Sequence, residues 1–164
     1  MAQAGEFEAF FRDNFARIVR ACALQTLDRS LAEDIAAEAF ARLWARWPQI
    51  RDADHAGGYV FKTATRLCTR EVRRRRLRPA FRLPPPEDPE RALLRRDVSI
   101  ALAGLPLRQR QAVVLRDWAG FPTGEVAALL GMRQSTVRVH LARGRQRLRA
   151  ALSIEQEEPS HDGG

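Results

Sequence analysis

Thr123-Gly-Glu-Val-Ala-Ala-Leu-Leu-Gly-Met-Arg-Gln-Ser-Thr-Val-Arg-Val-His-Leu141 is the most informative stretch of the chain, because it has the layout of two short helices meeting at a tight turn. Gly131 supplies the permissive backbone of the turn, and Ala127 is small where the helices would cross. Val126, Leu130, Val137 and Leu141 supply a shared core. Continuing the second helix to Leu152 sets Val137, Leu141, Gly144 and Leu148 on one inward line. Gln134, Ser135, Arg138, Ala142 and Arg145 fall on the opposite face. Gln and Arg side chains near the start of such a helix are the types that contact base edges in a major groove, and later arginines hold phosphates. A helical hairpin with a solvated basic face is the plainer reading. Against it, the segment from Gly131 to Ala151 carries many arginines and no acidic residue, whereas a surface shaped only for solubility mixes signs.

Working outward, the preceding segments also read as helices. Pro106 opens one that reaches about Asp117, and Asp88 with Pro89 has the chemistry to start another that ends near Gly104. Upstream, Arg78-Pro79 and Pro84-Pro85-Pro86-Glu87-Asp88-Pro89 cannot continue a helix, which marks residues 77–88 as a linker. The N-terminal part gives three helices. One runs from about Glu6 to Leu27 with Phe7, Phe10, Phe11, Phe15, Ile18, Val19 and Cys22 on one broad face. The next starts at Ser30, where Ser30 and Glu33 have capping-box spacing, and ends before Pro48, with Leu31, Ile35, Ala39, Leu43 and Trp47 as its buried stripe. Residues 48–58 read as a loop, and a third helix runs from about Tyr59 into Arg73, Arg74, Arg75 and Arg76. No period-2 alternation argues for a sheet. The fold class is therefore all-α, with two small helical domains at 1–76 and 89–152, the linker between them, and an acidic, Gly-rich tail at 153–164 expected to be disordered.

Composition bounds the function. The chain of 164 residues carries a formal charge of +8, and of its 28 basic residues only Lys62 is not an arginine, a bias suited to phosphate contact. A GC-rich coding sequence gives the same bias. No apolar run is long enough to span a bilayer and the N-terminus lacks the pattern of a signal peptide, so a cytoplasmic location without membrane insertion is expected. Cys22 and Cys68 form no ligand spacing with His55, His140 and His161, and both read as packing residues. There is no P-loop, nucleophile motif or convergent carboxylate pair. An enzyme is therefore not expected, nor a catalytic residue, a metal, a cofactor or a small-molecule substrate.

Two further constellations stand out. In Leu31-Ala-Glu-Asp-Ile-Ala-Ala-Glu-Ala-Phe-Ala-Arg-Leu-Trp44, Asp34, Glu38 and Arg42 recur every four residues as a charged ridge, beside which stand Phe40 and Trp44. Such ridges are commonly solvated i,i+4 charge, but Trp favours interfaces. On the third helix Lys62, Arg66 and Arg70 precede the arginine run, which is either solvated charge at a helix end or a nucleic-acid contact.

Together these motifs resemble the extracytoplasmic-function sigma factors of bacterial RNA polymerase. Residues 7–76 look like their region 2 and residues 101–152 like region 4. The strongest matches are AEDIAAEAFARLW with Trp47-Pro48 after it, then LPLRQRQAVVLRDWAGF, EVAALLG and STVRVHLARGRQRLRAAL. The resemblance implies a sigma factor that binds core RNA polymerase and directs promoter-specific initiation without being an enzyme itself. It implies that Asp34, Glu38, Phe40 and Trp44 dock on the polymerase. It assigns the minus-ten element to Arg51, Asp54, His55, Tyr59, Lys62, Arg66, Arg70, Arg73 and Arg74, with residues 51–58 as a loop holding a flipped base. The minus-thirty-five element falls to Arg133, Gln134, Ser135, Thr136, Arg138, His140, Arg143 and Arg145. The expected partners are core polymerase, promoter DNA as duplex and melted strand, and an anti-sigma protein. The chain departs from its relatives where they often have Trp at Tyr59, Asn at Arg66, Asp at Arg70, Ser-Tyr at Pro122-Thr123 and Ser at Arg133. The competing reading is a stand-alone dimeric helix-turn-helix regulator, which would bind operators tightly without polymerase.

Overall fold

The computed structural model describes residues 2–50, 53–75 and 89–154, and among them there are seven α-helices and no strand. Helices α1 (Ala2–Thr26), α2 (Arg29–Arg46) and α3 (Ala53–Arg75) make a first bundle. A second unit holds α4 (Pro89–Ala103), α5 (Leu107–Val113), α6 (Thr123–Leu130) and α7 (Gln134–Ile154). The linker, residues 77–88, lies outside the described residues, as does all but the first two residues of the acidic tail, Ser153 and Ile154, which are the last turn of α7.

The first bundle closes around Ile18, Cys22, Ile35, Ala39, Leu43, Val60, Ala64, Leu67 and Cys68, all buried. The N-terminal aromatics expected on one face of α1 gather on Phe40 of α2. Ring centroids of Phe11, Phe15, Phe10 and Phe7 lie 4.9, 5.8, 6.1 and 6.4 Å from it. Both cysteines are buried as packing residues, and the Cys22 neighbour together with burial pushes the Cys68 thiol well up, so it stays protonated.

Two local readings are corrected. Helix α2 is capped by Asp28 rather than through Ser30 and Glu33. The Asp28 carboxylate accepts a 3.0 Å bond from the Leu31 amide, while Glu33 pairs with Arg29 one turn back. Asp28 also receives Arg75 from the end of α3, which ties the last turn of the basic helix to the start of α2. Second, residues 53–58 are the first turns of α3 and not a loop. The Gly57-Gly58 pair disfavours helix, but Ala56, Val60 and Phe61 are buried, and their packing outweighs a propensity cost of about 1 kcal/mol per glycine.

Asp28 yields a prediction. Partial burial raises its pKa, but the Leu31 amide, the Arg75 guanidinium and the Ser30 amide together hold it below the ordinary value. A depressed carboxylate contributes stability above its unfolded pKa and loses it as pH falls through the folded one. Asp28→Ala is expected to cost about 1 kcal/mol at neutral pH, the worth of an N-cap. In urea titrations that difference should shrink as the pH is lowered below 3.8.

In the second unit, α5 runs into a π-helical turn, Val114–Trp118, where the Ala119 amide reaches back to the Val114 carbonyl at 2.9 Å. Gly131 ends α6 in the left-handed region at φ 65° and ψ 40°, and the Met132 amide closes onto the Ala127 carbonyl. The turn of the helix pair thus has the glycine its backbone requires. Val126, Ala127, Leu130, Val137 and Leu141 are buried between α6, α7 and α5, as the pattern predicted.

Gly144 has a reason beyond its place on the inward line. A Cβ there would sit 2.9 Å from Val113 Cγ2 and 3.4 Å from the Gln109 carbonyl oxygen, so α7 crosses α5 at a distance only glycine permits. Gly144→Ala sets a helix-propensity gain of about 1 kcal/mol against an overpacking cost of about 1 to 3 kcal/mol. A net loss of about 1 kcal/mol is expected. In a Val113→Ala background the same substitution should become stabilising, which a double-mutant cycle by denaturation would measure.

Candidate nucleic-acid interface

Helix α7 presents its outer face as the sequence predicts. Arg133, Gln134, Ser135, Thr136, Arg138 and Arg143 are exposed. The Arg133 carbonyl accepts the first helical bond, from the Val137 amide at 3.1 Å, so the helix begins without a side-chain oxygen at that position. The amides of its first turn are therefore the kind of donors that phosphate accepts.

Two of the expected residues are set differently. Arg145 is engaged by Asp117 of the π-turn through both carboxylate oxygens, and this pairing raises its pKa. It braces α7 against the preceding turn, and Asp117 is a partner the sequence reading missed. His140 is half-buried, with Nδ1 enclosed and without a hydrogen-bond partner. Burial pushes its pKa down, and the guanidinium groups of Arg108 and Arg143 push it further, so it is neutral near pH 7.

Helix α3 carries the second basic surface. Lys62, Arg66, Arg70, Arg73 and Arg74 are exposed along it, while Val60, Ala64, Leu67 and Cys68 face the core. Tyr59 is half-buried and His55 is exposed. Asp54 lies in the first turn of α3, and Arg51 is outside the described residues. Lys62 and Arg66 head the stripe. Further along, Glu71 sits between Arg70 at 3.4 Å and Arg74 at 2.8 Å, and the Arg74 bond foremost holds its carboxyl below the ordinary value. Charge on that last part of the helix is thus partly neutralised at home.

The ridge on α2 divides. Asp34 is exposed, and Glu38 is half-buried, bonded to Arg42 and 3.9 Å from Arg70 of α3. Glu38 therefore links the ridge to the basic stripe. Trp44 is 47% exposed, its ring tilted at 57° to that of Phe7 with the centroids 4.8 Å apart. Phe40 is only 2% exposed at the centre of the aromatic cluster, so it supports the ridge from beneath rather than lying on its surface. The sequence pattern sets Phe40 beside the ridge together with Trp44. Burial of Phe40 follows instead from the four phenylalanines that α1 directs at it.

The two units meet along a contact the sequence did not announce. Gln111 of α5 donates through Nε2 to Gln25 Oε1 of α1 at 3.1 Å and to Thr69 Oγ1 of α3 at 2.8 Å. Arg110 donates to the Gln25 carbonyl, and Arg17 donates to the Ala119 carbonyl at 2.6 Å while lying over the Phe61 ring. Phe121 meets Phe61 edge-on at 4.8 Å. The available signal was Arg108-Gln109-Arg110-Gln111, four polar residues in a row on a short helix, which leaves no purely apolar side for burial.

No helix among the described residues is long and apolar enough to cross a membrane. The family model "Sigma-70 region 2" matches residues 10–78, and "Sigma-70, region 4" matches residues 91–148. The chain is 35% identical over 161 residues to the RNA polymerase sigma-E factor of Streptomyces coelicolor, covering 93% of this chain and 89% of that one. It is 35% identical to the ECF RNA polymerase sigma factor SigE of Mycolicibacterium smegmatis, over 77% of this chain and 54% of that protein. The sigma factor RpoE of Bartonella quintana, solved with the anti-sigma factor NepR, has the same fold, with a TM-score of 0.75 at 19% identity over 90% of this chain and 97% of that one. With both regions present in order and a relative at this identity matched over most of its length, the chain belongs to the extracytoplasmic-function family of RNA polymerase sigma factors.

Proposed function

We propose that the chain binds core RNA polymerase in the cytoplasm and directs promoter-specific initiation, reading the minus-thirty-five element with α7 and the minus-ten element with α3. The observation that carries this reading is the pairing of two separate exposed basic faces, one on a helix-turn-helix and one on a bundle helix, with an exposed Asp34 and Trp44 on a third surface. A duplex-reading helix needs outward Gln, Ser and Arg at its start, and Gln134, Ser135 and Arg138 supply them. Separating strands needs a basic track with an aromatic beside it, and Tyr59, Lys62 and Arg66 have those properties. The family is one of non-enzymatic initiation factors, so the bond-making belongs to the polymerase.

An anti-sigma protein is the proposed regulator, by likeness to the complex of the Bartonella quintana protein. A stand-alone dimeric regulator is not favoured, since it leaves the region 2 match and the α2 ridge without a role.

The test is run-off transcription from fragmented genomic DNA with core polymerase, with and without the chain. New start sites sharing two upstream elements are expected. No new starts, together with tight binding of naked duplex by the chain alone, would replace the reading with the stand-alone regulator. Within this scheme, Arg138→Ala is expected to weaken promoter selection by about 1 to 3 kcal/mol at one base position. Competition between promoter variants would measure it, and an equal loss on all sequences would make Arg138 a phosphate contact.

A further inference from the structure

Most arginines at the end of α3 are matched with acids. Arg70 and Arg74 pair with Glu71, and Arg75 pairs with Asp28. Arg73 has no acidic partner among the described residues. Helix α7 repeats the contrast, since Asp117 holds Arg145 while Arg143 stands exposed without an acid among the described residues. On α5, Arg108 is half-buried, and its guanidinium donates to a neutral acceptor, Gln111 Oε1, at 3.2 Å.

Packing brings these three guanidinium groups to one place. Gln111, which accepts from Arg108, also donates to Thr69 Oγ1 of α3 at 2.8 Å, and Arg73 follows Thr69 by one turn. From the other side, α7 crosses α5 at Gly144, where a Cβ would lie 3.4 Å from the Gln109 carbonyl oxygen, so Arg143 and Arg108 flank the crossing. His140, one turn before Arg143, is half-buried, and its enclosed Nδ1 has no hydrogen-bond partner. The groups also register one another electrically. Burial foremost, and then the charge of Arg73, lowers the pKa of Arg108, while burial followed by Arg108 and Arg143 lowers that of His140.

Gathering like charges at partial burial is unfavourable, and arginine cannot relieve the cost by losing its proton. A bound anion relieves it, and each guanidinium fork can take two phosphate oxygens at once. Charge balance sets the kind of anion. A phosphate monoester carries about −1.5 to −2 at pH 7, which falls short of three guanidinium charges, whereas linked phosphates match them. A duplex backbone instead spreads its phosphates along a line. The promoter assignment moreover gives Arg73 and Arg143 to different elements and leaves Arg108 without a role.

We propose that Arg73, Arg108, His140 and Arg143 form a binding site for a compact polyphosphate anion, taking the linked phosphates of an inorganic chain or of a nucleoside triphosphate. Because Arg108 belongs to neither promoter element, loss of the anion site and loss of promoter recognition are separate events.

The experiment is isothermal titration calorimetry on the full chain with tripolyphosphate, orthophosphate and magnesium-free ATP, at a fixed ionic strength of about 0.15 M. One tripolyphosphate per chain is expected, bound about tenfold or more tightly than orthophosphate. Arg108→Gln and Arg143→Gln should each weaken it by about tenfold or more, the loss of one charge-assisted contact. Arg138→Gln removes the same charge from the opposite face of α7 and should stay within about twofold of wild type. Urea midpoints verify folding, and the exposed Arg143 keeps the test decisive if Arg108→Gln is unstable. Equal affinity for ATP means that the triphosphate chain is taken from either source, and weaker binding of ATP assigns the inorganic chain. No preference for tripolyphosphate over orthophosphate overturns the proposal. So does an equal loss in Arg138→Gln, which would make the binding diffuse charge attraction. Binding of a 20-base-pair duplex is measured on the same variants. If Arg108→Gln weakens the duplex as much as tripolyphosphate, Arg108 is a nucleic-acid backbone contact and the anion site is withdrawn.

Discussion

Replacing Asp34 and Glu38 together with arginine is expected to lower affinity for bacterial core RNA polymerase by about a hundredfold or more, because setting like charges across an interface costs several kcal/mol and each 1.4 kcal/mol is tenfold. The expectation rests on the proposed docking role of the α2 ridge. Asp34 is exposed, and one turn on, Glu38 bonds Arg42 and approaches Arg70. Reversal at Glu38 therefore also gathers three cations. That local repulsion is screened at the surface and should change stability by no more than about 1 kcal/mol. Asp34→Arg alone leaves the Glu38 network intact and separates docking from folding. It should retain the wild-type urea midpoint and still lose about tenfold or more in binding. Fluorescence anisotropy of the labelled chain titrated with core polymerase measures both. Unchanged affinity in the folded double variant would remove the ridge from the interface.

How much of this was legible in the sequence depends on which physical rule decided each element. The helix pair at Thr123–Leu141 was readable because a glycine needed at positive φ and a helical-period apolar line act locally, and Gly131, Val137 and Leu141 lie where that reading put them. The outward residues of α7 followed from the same periodicity. The start of α3 was misread because two glycines argue against helix, while the deciding force was burial of Ala56, Val60 and Phe61 against other segments. Arg145 looked free because periodicity places it outward, and nothing in the sequence says that Asp117 on a π-turn comes within reach. The junction of the two units is the extreme case. Gln25, Thr69 and Gln111 come from three helices, and no local pattern brings them together.

Phe40→Ala is expected to destabilise the first bundle by about 3 to 5 kcal/mol, the usual cost of emptying a buried phenylalanine site. The ring is 2% exposed and is the common neighbour of Phe7, Phe10, Phe11 and Phe15, so its removal leaves a cavity whose walls come from two helices. Against a total stability of about 5 to 15 kcal/mol for a domain, that loss is large enough to unfold part of the population near 37 °C. Phe40→Leu keeps most of the buried volume and should cost clearly less. The contrast with Trp44 decides what this face of α2 does. Trp44 is 47% exposed and rests on Phe7, so Trp44→Ala should cost little stability but weaken polymerase binding by about tenfold or more if Trp44 is an interface anchor. Urea denaturation and polymerase titration at 15 °C, where Phe40→Leu remains folded, give both quantities for each variant. Binding by Phe40→Leu within about twofold of wild type is the expected result, since a buried ring supports the ridge without touching the partner. A tenfold loss of binding in that variant with stability unchanged would mean that α2 opens on docking and that Phe40 itself enters the interface.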